Sequence, residues 1–280
     1  MKHRNHWQRI PKTLLAIAVT AGVAQAGTTE TMMTPAPAPA PADDVISGTL
    51  TLDINTHFIS YGLDVWSDDN PQINELNFNP MLELAFALPN DFTFTLGSWA
   101  DVNDKGNGGS LGGDLREVDI WAGLSYTYEK FTVGVTAQNW LYGSASEEIL
   151  DVKFSYDCLL SPSLTIHNRL GAGASGGDEG TILVLGLSHS VEAGPVTVSF
   201  PFNVAYFATD EFHGAGNDDG FGYCSIGVGA SLPLTPYIGG SFGEWDLHGG
   251  LTYYFTDDDI ISNNDHNDFL TASLGLGLSF

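Results

Sequence analysis

The sequence predicts an all-β protein, a transmembrane antiparallel up-and-down β-barrel of about 12 strands. Three observations predict it. From residue 45 to the end, apolar and polar side chains alternate in successive segments, the period of a strand wetted on one face only. Short connections alternate with longer Gly/Asp/Asn-rich ones, as turns and outer loops do in a transmembrane barrel. The last stretch, L-T-A-S-L-G-L-G-L-S-F, puts Leu270, Ala272, Leu274, Leu276, Leu278 and Phe280 on one face. Thr271, Ser273, Gly275, Gly277 and Ser279 fall on the other, over the length a tilted strand needs to cross a bilayer core.

Residues 1–26 read as a secretory signal peptide. Lys2, Arg4, Arg9 and Lys12 form a basic start, 14–24 is a short apolar core, and Ala24-Gln25-Ala26 is a small-residue cleavage site. The apolar core is too short for a membrane-spanning helix. Residues 27–44 are a Pro/Ala-rich tether whose alternating proline favours extended polyproline II, expected on the periplasmic side.

Residues 45–280 are the expected barrel. Leu50, Leu52, Ile54 and Phe58 alternate with Thr51, Asp53, Asn55 and His57, then a loop covers 62–74. Leu76 to Leu88 and Phe92 to Trp99 pair across Pro89-Asn90-Asp91. A loop at 101–114 leads to Val118–Tyr128 and, after Glu129-Lys130, to 131–142. Strands at 149–160 and 164–172 pair across Ser161-Pro162-Ser163, and those at 181–191 and 196–208 pair across 192–195. An acidic loop at 209–220 precedes a strand at 221–232. The longer connection 233–244, a strand at 245–255, the acidic loop 256–268 and the closing strand follow. Twelve strands place both barrel termini on the periplasmic side.

Charge excludes one class of partner. Four of the 9 basic residues and none of the 34 acidic ones lie in residues 1–26, which leaves 5 against 34 and a charge of −29 for the remainder. Nucleic-acid binding needs a basic footprint and is not expected. The chain is nevertheless 43% hydrophobic and 11% aromatic, so the acids belong to loops and the lumen, the apolar residues to the outer face. Tyr126, Tyr128, Phe131, Tyr206, Tyr253 and Phe255 sit near strand ends as an interfacial girdle would. Strand parity points Cys158 and Cys224 outward on strands that are not neighbours, so both are expected as free thiols.

The inward parity brings together the candidate pore-lining residues Asp53, His57, Glu83, Glu117, Asp119, Asp151, Lys153, Asp157, His167 and Arg169. Carboxylates in a wet lumen favour cations; a plugged lumen of compensating charges is the alternative. Acidic runs at Asp68-Asp69-Asn70, Asn217-Asp218-Asp219 and Asp257-Asp258-Asp259 lack the spacing of a calcium loop, and no metal or other cofactor is expected.

The terminal Phe280, with apolar residues stepping back in twos, resembles the assembly signal of bacterial outer-membrane barrels. That resemblance implies outer-membrane lipid and the assembly machinery as partners. Two enzyme groups with barrels of this kind are not matched. The His-x-Ser motif of outer-membrane phospholipases is absent, and the Asp-x-His of omptin-like proteases occurs only as Asp246-Leu247-His248, near the periplasmic end. Residues 47–280 resemble the TorF-type porin group of bacterial outer-membrane β-barrel proteins, through Phe58-Ile59-Ser60-Tyr61-Gly62, Pro71, Pro80, Ser161-Pro162-Ser163-Leu164 and the closing strand. Tyr61 stands where that group has arginine. The resemblance implies a porin-like channel passing small hydrophilic solutes. The charge implies a preference for cations. A structural or adhesive barrel with a closed lumen is the competing expectation.

Overall fold

The computed structural model describes residues 45–66, 76–105, 111–143, 145–173 and 177–280. The expected signal peptide and tether lie outside these residues. So does the acidic run Asp68-Asp69-Asn70.

Twelve antiparallel strands close into one barrel, each hydrogen-bonded to its sequence neighbours in the wall. They are β1 (Ile46–Asn55), β4 (Asn77–Leu88), β5 (Phe92–Val102), β6 (Leu115–Tyr128), β7 (Phe131–Tyr142), β8 (Ser146–Tyr156), β9 (Ser163–Arg169), β10 (Gly180–Ala193), β11 (Val196–Phe207), β12 (Gly220–Pro233), β13 (Glu244–Thr256) and β14 (Asp268–Ser279). Most of the chain predicted as strands is strands, and β14 returns to pair with β1. A two-stranded hairpin, β2 (Ile59–Ser60) with β3 (Leu63–Asp64), stands apart from the wall, and one helical turn, α1 (Thr235–Ile238), follows β12.

Several strand ends differ from the sequence reading; β8 begins at Ser146 rather than at 149, and β9 ends at Arg169 rather than at 172. The wall ends at Asn55 rather than Phe58, and the chain then turns inward. β8 ends at Tyr156: Ser161 takes a positive φ of 38° and Tyr156 N donates to Pro162 O at 3.0 Å. Cys158, Leu159 and Leu160 alternate like strand residues but lie in the turn, which removes Asp157 from the wall as well. Both cysteines are free, as expected, although only Cys224 sits on a strand.

The outer face is apolar. Leu82, Leu96, Ile120, Leu124, Val135, Ile226, Leu251 and Leu274 are all exposed on it. The inner face is polar, and each of the two faces is served by alternate residues of every strand.

The seam between β1 and β14 carries an interior clasp. His248 Nε2 lies 2.7 Å from Asp53 Oδ1, and His248 Nδ1 lies 2.7 Å from Asp246 Oδ1. Asp53 and His248 are not on neighbouring strands: each is opposite Gly275 of β14, which runs between them. Strands two apart are separated by about 9–10 Å, so the side chains meet only by passing over a residue without one. A Cβ on Gly275 would lie 1.9 Å from Asp53 Oδ1, and one on Gly277 2.1 Å from Asp246 Oδ2. At the end of the seam, Gly48 and Phe280 exchange two backbone hydrogen bonds of 2.7 and 3.0 Å, with the Phe280 ring over Gly48.

Gly275→Ala should therefore open the clasp and destabilise the barrel by about 1–3 kcal/mol. The expected readout is a lower temperature for the shift between folded and unfolded mobility on a detergent gel. An unchanged temperature would refute the role given to the clasp.

Candidate functional site

The first loop shapes the lumen. After Asn55 the chain folds into the mouth at the end of the barrel opposite the short turns, and reverses through Tyr61-Gly62. Ser60 pairs with Leu63, so the reversal is a two-residue hairpin with both central residues at positive φ, 47° and 82°. Such a turn matches the twist of its strands. Gly62 also approaches the opposite wall so closely that a Cβ would lie 2.6 Å from the Tyr223 ring and 2.9 Å from Ile261.

Apolar side chains explain why this loop goes inward. Ile59, Tyr61 and Leu63 pack with Ile182, Phe207 and Tyr223 of the wall, Phe212 of the β11–β12 loop, and Ile260 and Ile261 of the β13–β14 loop. Phe58 packs separately on Trp99 and Trp121. Burying one such side chain stabilises by about 1.5–3 kcal/mol.

Polar contacts fix the plug at several points. Tyr61 Oη lies 2.7 Å from His167 Nδ1, itself 2.8 Å from Asp151 Oδ1. Gln138 Nε2 donates to Asp151 Oδ2 at 2.5 Å, and Trp140 Nε1 to Gln138 Oε1 at 3.3 Å. His213 Nε2 donates to the Tyr61 carbonyl at 3.1 Å. Asn264 Nδ2 donates to Gly62 O at 2.8 Å, and its Oδ1 accepts from Asp64 N at 2.8 Å. Trp66 Nε1 donates to Asp101 Oδ2 at 2.8 Å, and Lys105 Nζ to Trp66 O at 2.7 Å. Arg169 pairs with Glu147 at 3.0 Å, donates to the Phe212 carbonyl at 3.0 Å and stacks 3.8 Å above the Phe212 ring.

The predicted pore-lining residues separate into three groups. Glu83 and Lys153 face the lumen and are half-buried, Glu83 accepting from Trp121 Nε1 at 2.9 Å. Asp53, Glu117, Asp119, Asp151, His167 and Arg169 also face inward but are sealed from solvent, Asp119 and His167 completely. His57 sits in the first loop, its Nε2 3.8 Å from Asp64, and Asp157 lies in the β8–β9 turn. The sealed band also holds Asp101 and Glu147. Among the described residues no group of three His, Cys, Asp or Glu side chains is placed to hold a metal ion.

Sequence reasoning misses the plug: it keeps Phe58 in the first strand, starts the loop only after Tyr61, and places Phe212, His213, Ile261 and Asn264 in solvated loops. One signal was available. Apolar residues at 58–66 and at 260–261 interrupt connections that are otherwise acidic or Gly/Asn-rich, and an apolar run in a solvated loop has to be covered by something.

Burial pushes the His213 imidazole down to about 3, opposed by its bond to the Tyr61 carbonyl and aided by the neighbouring Arg169 guanidinium. His57 is also pushed below its usual value, by burial and by Lys105. Both imidazoles are therefore neutral in the closed plug at neutral pH.

The structure defines a class: a closed twelve-stranded barrel with an apolar outer face, a polar inner face and its own first loop folded into one mouth. No family model and no curated protein matches the chain. It is similar to the KdgM porin at 10% identity, over 84% of this chain and 99% of that one, with a TM-score of 0.45. For the NanC porin the values are 10%, 82%, 98% and 0.43. For LpxR from Salmonella typhimurium they are 8%, 82%, 99% and 0.43. What the chain does is read from its own residues.

Tyr61→Phe should remove the hydroxyl contact to His167 while keeping the ring in the cluster. Losing one buried hydrogen bond costs about 1 kcal/mol, so amide exchange across the first loop should quicken roughly fivefold. Unchanged exchange would show that the apolar cluster alone holds the plug.

Proposed function

We propose that this chain is a porin-like channel of a bacterial outer membrane whose outer mouth is closed at rest by the first loop, and which passes small hydrophilic solutes when that loop withdraws. The observation that carries the reading is the pairing of an apolar outer face with a polar lumen blocked by a separable hairpin. A lipid-exposed sheet must close on itself, since unpaired backbone groups are costly there, and this one does. The wall needs no polar interior for stability, and a merely structural barrel could be filled with apolar side chains. The short turns and the closing strand support a periplasmic turn end, on the same resemblance to outer-membrane barrels that the terminal Phe280 carries.

Cation preference follows from charge. Asp101, Glu117, Asp119, Glu147 and Asp151 surround the path, against Lys153 and Arg169. Withdrawal of the plug would bring these carboxylates within a Debye length, about 8–10 Å, of a passing ion. A permanently closed structural barrel is the second reading, and the apolar cluster behind Tyr61 favours it.

Planar-bilayer conductance separates the two. The native chain is expected to be mostly closed at neutral pH, with Tyr61→Ala opening more often. Reversal potentials in a KCl gradient should show K⁺ passing in preference to Cl⁻, less so when Glu117→Gln and Asp119→Asn are added. A loosened variant that never conducts would remove the channel reading and leave the structural one.

The sign of the pH response follows from His213. Its value is about 3 in the closed plug against 6.5 for a free imidazole. The withdrawn state therefore binds the proton more readily at every pH between them. Closure is at full strength above 6.5 and weakens by about 1.4 kcal/mol per pH unit below it. Open probability should rise on acidification from pH 7 to 5, and His213→Phe should flatten that rise. An opening that grows with alkali would contradict the assignment.

A further inference from the structure

The connection between β12 and β13 is unlike the other links at the turn end. Those at 89–91, 129–130 and 194–195 are tight and that at 157–162 has six residues, whereas this one runs from Leu234 to Gly243 and includes α1. Its sequence, L-T-P-Y-I-G-G-S-F-G, has no charged side chain, in a protein with 34 acidic and 9 basic residues. The loop is anchored to the wall. Leu234 N donates to Trp245 O and Trp245 N to Thr235 Oγ1, both at 2.7 Å, and Gly239 N closes the helical turn on Thr235 O at 2.9 Å. Its apolar side chains are not spent on a core. Tyr237 is 69% exposed, Ile238 63% and Phe242 82%, and α1 buries nothing.

The neighbouring outer wall indicates the occupant. Glu244 pairs with Ser279 and Trp245 with Leu278, so the loop emerges beside the apolar outer face of β13 and β14 and beside Phe280. Around the turn end that face is edged by Phe92, Tyr128, Phe131 and Tyr156, all exposed. β12 brings only Val228, Ala230 and Leu232 to its outer face in this half. The loop after it supplies Tyr237 and Phe242 where the strand has no aromatic residue. Aromatic residues with an apolar body and a polar tip suit the boundary between headgroups and acyl chains. A patch built for a protein partner would be rimmed by charged as well as polar groups, and no charged side chain occurs between Leu234 and Gly243.

We propose that residues 234–243 are an interfacial anchor: Tyr237, Ile238 and Phe242 dip into the headgroup region of the turn-side leaflet. The anchor extends the lipid contact of the barrel below β12 and β13, next to the closing seam. The proposal rests on the membrane-barrel reading, and its test keeps the two apart. In a Cys158→Ser, Cys224→Ala background, Phe242→Cys, Leu251→Cys and Asn90→Cys are each labelled with an environment-sensitive dye. The proteins are reconstituted in phosphatidylethanolamine/phosphatidylglycerol vesicles containing lipid brominated near the headgroup. Leu251 reports the wall and Asn90 a solvated tight turn. Position 242 should show blue-shifted emission and a loss of intensity to brominated lipid approaching that at 251, with neither change at 90. Quenching at 251 with position 242 behaving like 90 would overturn the anchor and leave the barrel in place. Absence of quenching at 251 would overturn the membrane reading and the anchor with it.

Discussion

Everything in this molecule depends on closing the sheet between its first and last wall strands. An open sheet edge presents a row of unpaired donors and acceptors, and in hydrocarbon nothing else can satisfy them. The closing strand β14 has to be thin where it meets two neighbours at once. Leu274, Leu276 and Leu278 fill its outer face, while Gly275 and Gly277 leave its inner face bare for Asp53, His248 and Asp246 to join hands across it. The alternation of leucine with glycine at the end of the chain thus serves both sides of the wall. One face provides apolar area. The other provides the room in which two strands that never touch through their backbones are tied together.

The same two-residue period explains how a chain with so few basic residues tolerates its acids. Apart from Glu148 and Asp268 at the ends of β8 and β14, acidic side chains are kept off the outer face of the strands and are collected in loops or directed inward. Inside, nearly every basic group has work to do. Arg169 holds Glu147 and the β11–β12 loop, Lys105 caps the carbonyl of Trp66, and Arg116 Nε donates to the Asn103 carbonyl at 3.0 Å. Asp101 is kept with neutral donors. Asn79 bridges Asn55 and Asp101 at 2.8 and 3.0 Å, and Trp66 and Asn103 share the other Asp101 oxygen. Amide and indole donors satisfy carboxylate oxygens without adding charge, which buried networks require to be stable.

What was legible in the sequence is what periodicity encodes. Strand number, inward and outward parity, the free thiols and the inward placement of Asp53, Glu83, Glu117, Asp119, Asp151, Lys153, His167 and Arg169 all follow from counting in twos. Periodicity fails where the chain leaves the wall. Phe58 continues the parity of β1, and Leu160 that of β8, although both lie beyond the last wall residue. Solvent access could not be counted either. Glu117 and Asp119 read as water-facing because they point inward, yet both are buried. The first loop's destination depends on contacts with residues such as His213 and Asn264, some 150 and 200 positions away, and no local pattern announces partners at that distance.

Magnitudes decide what kind of gate such a plug can be. Ile59, Leu63, Phe212 and Ile261 alone represent several kcal/mol of burial at about 1.5–3 kcal/mol each, so thermal fluctuation rarely exposes all of them together. Acid works against this with one effective proton: at pH 5, a free imidazole value of 6.5 against about 3 in the closed plug shifts the balance by about 2 kcal/mol. That is comparable to one buried side chain, enough to change a rare opening roughly thirtyfold but not to expel the whole cluster. Complete withdrawal needs more than His213. A partial movement does not, if Tyr61 leaves the His167 and His213 contacts while Phe58 stays seated on Trp99 and Trp121. The separation of the apolar contacts into two clusters makes that intermediate possible, because Phe58 and Tyr61 are held by different walls of the barrel.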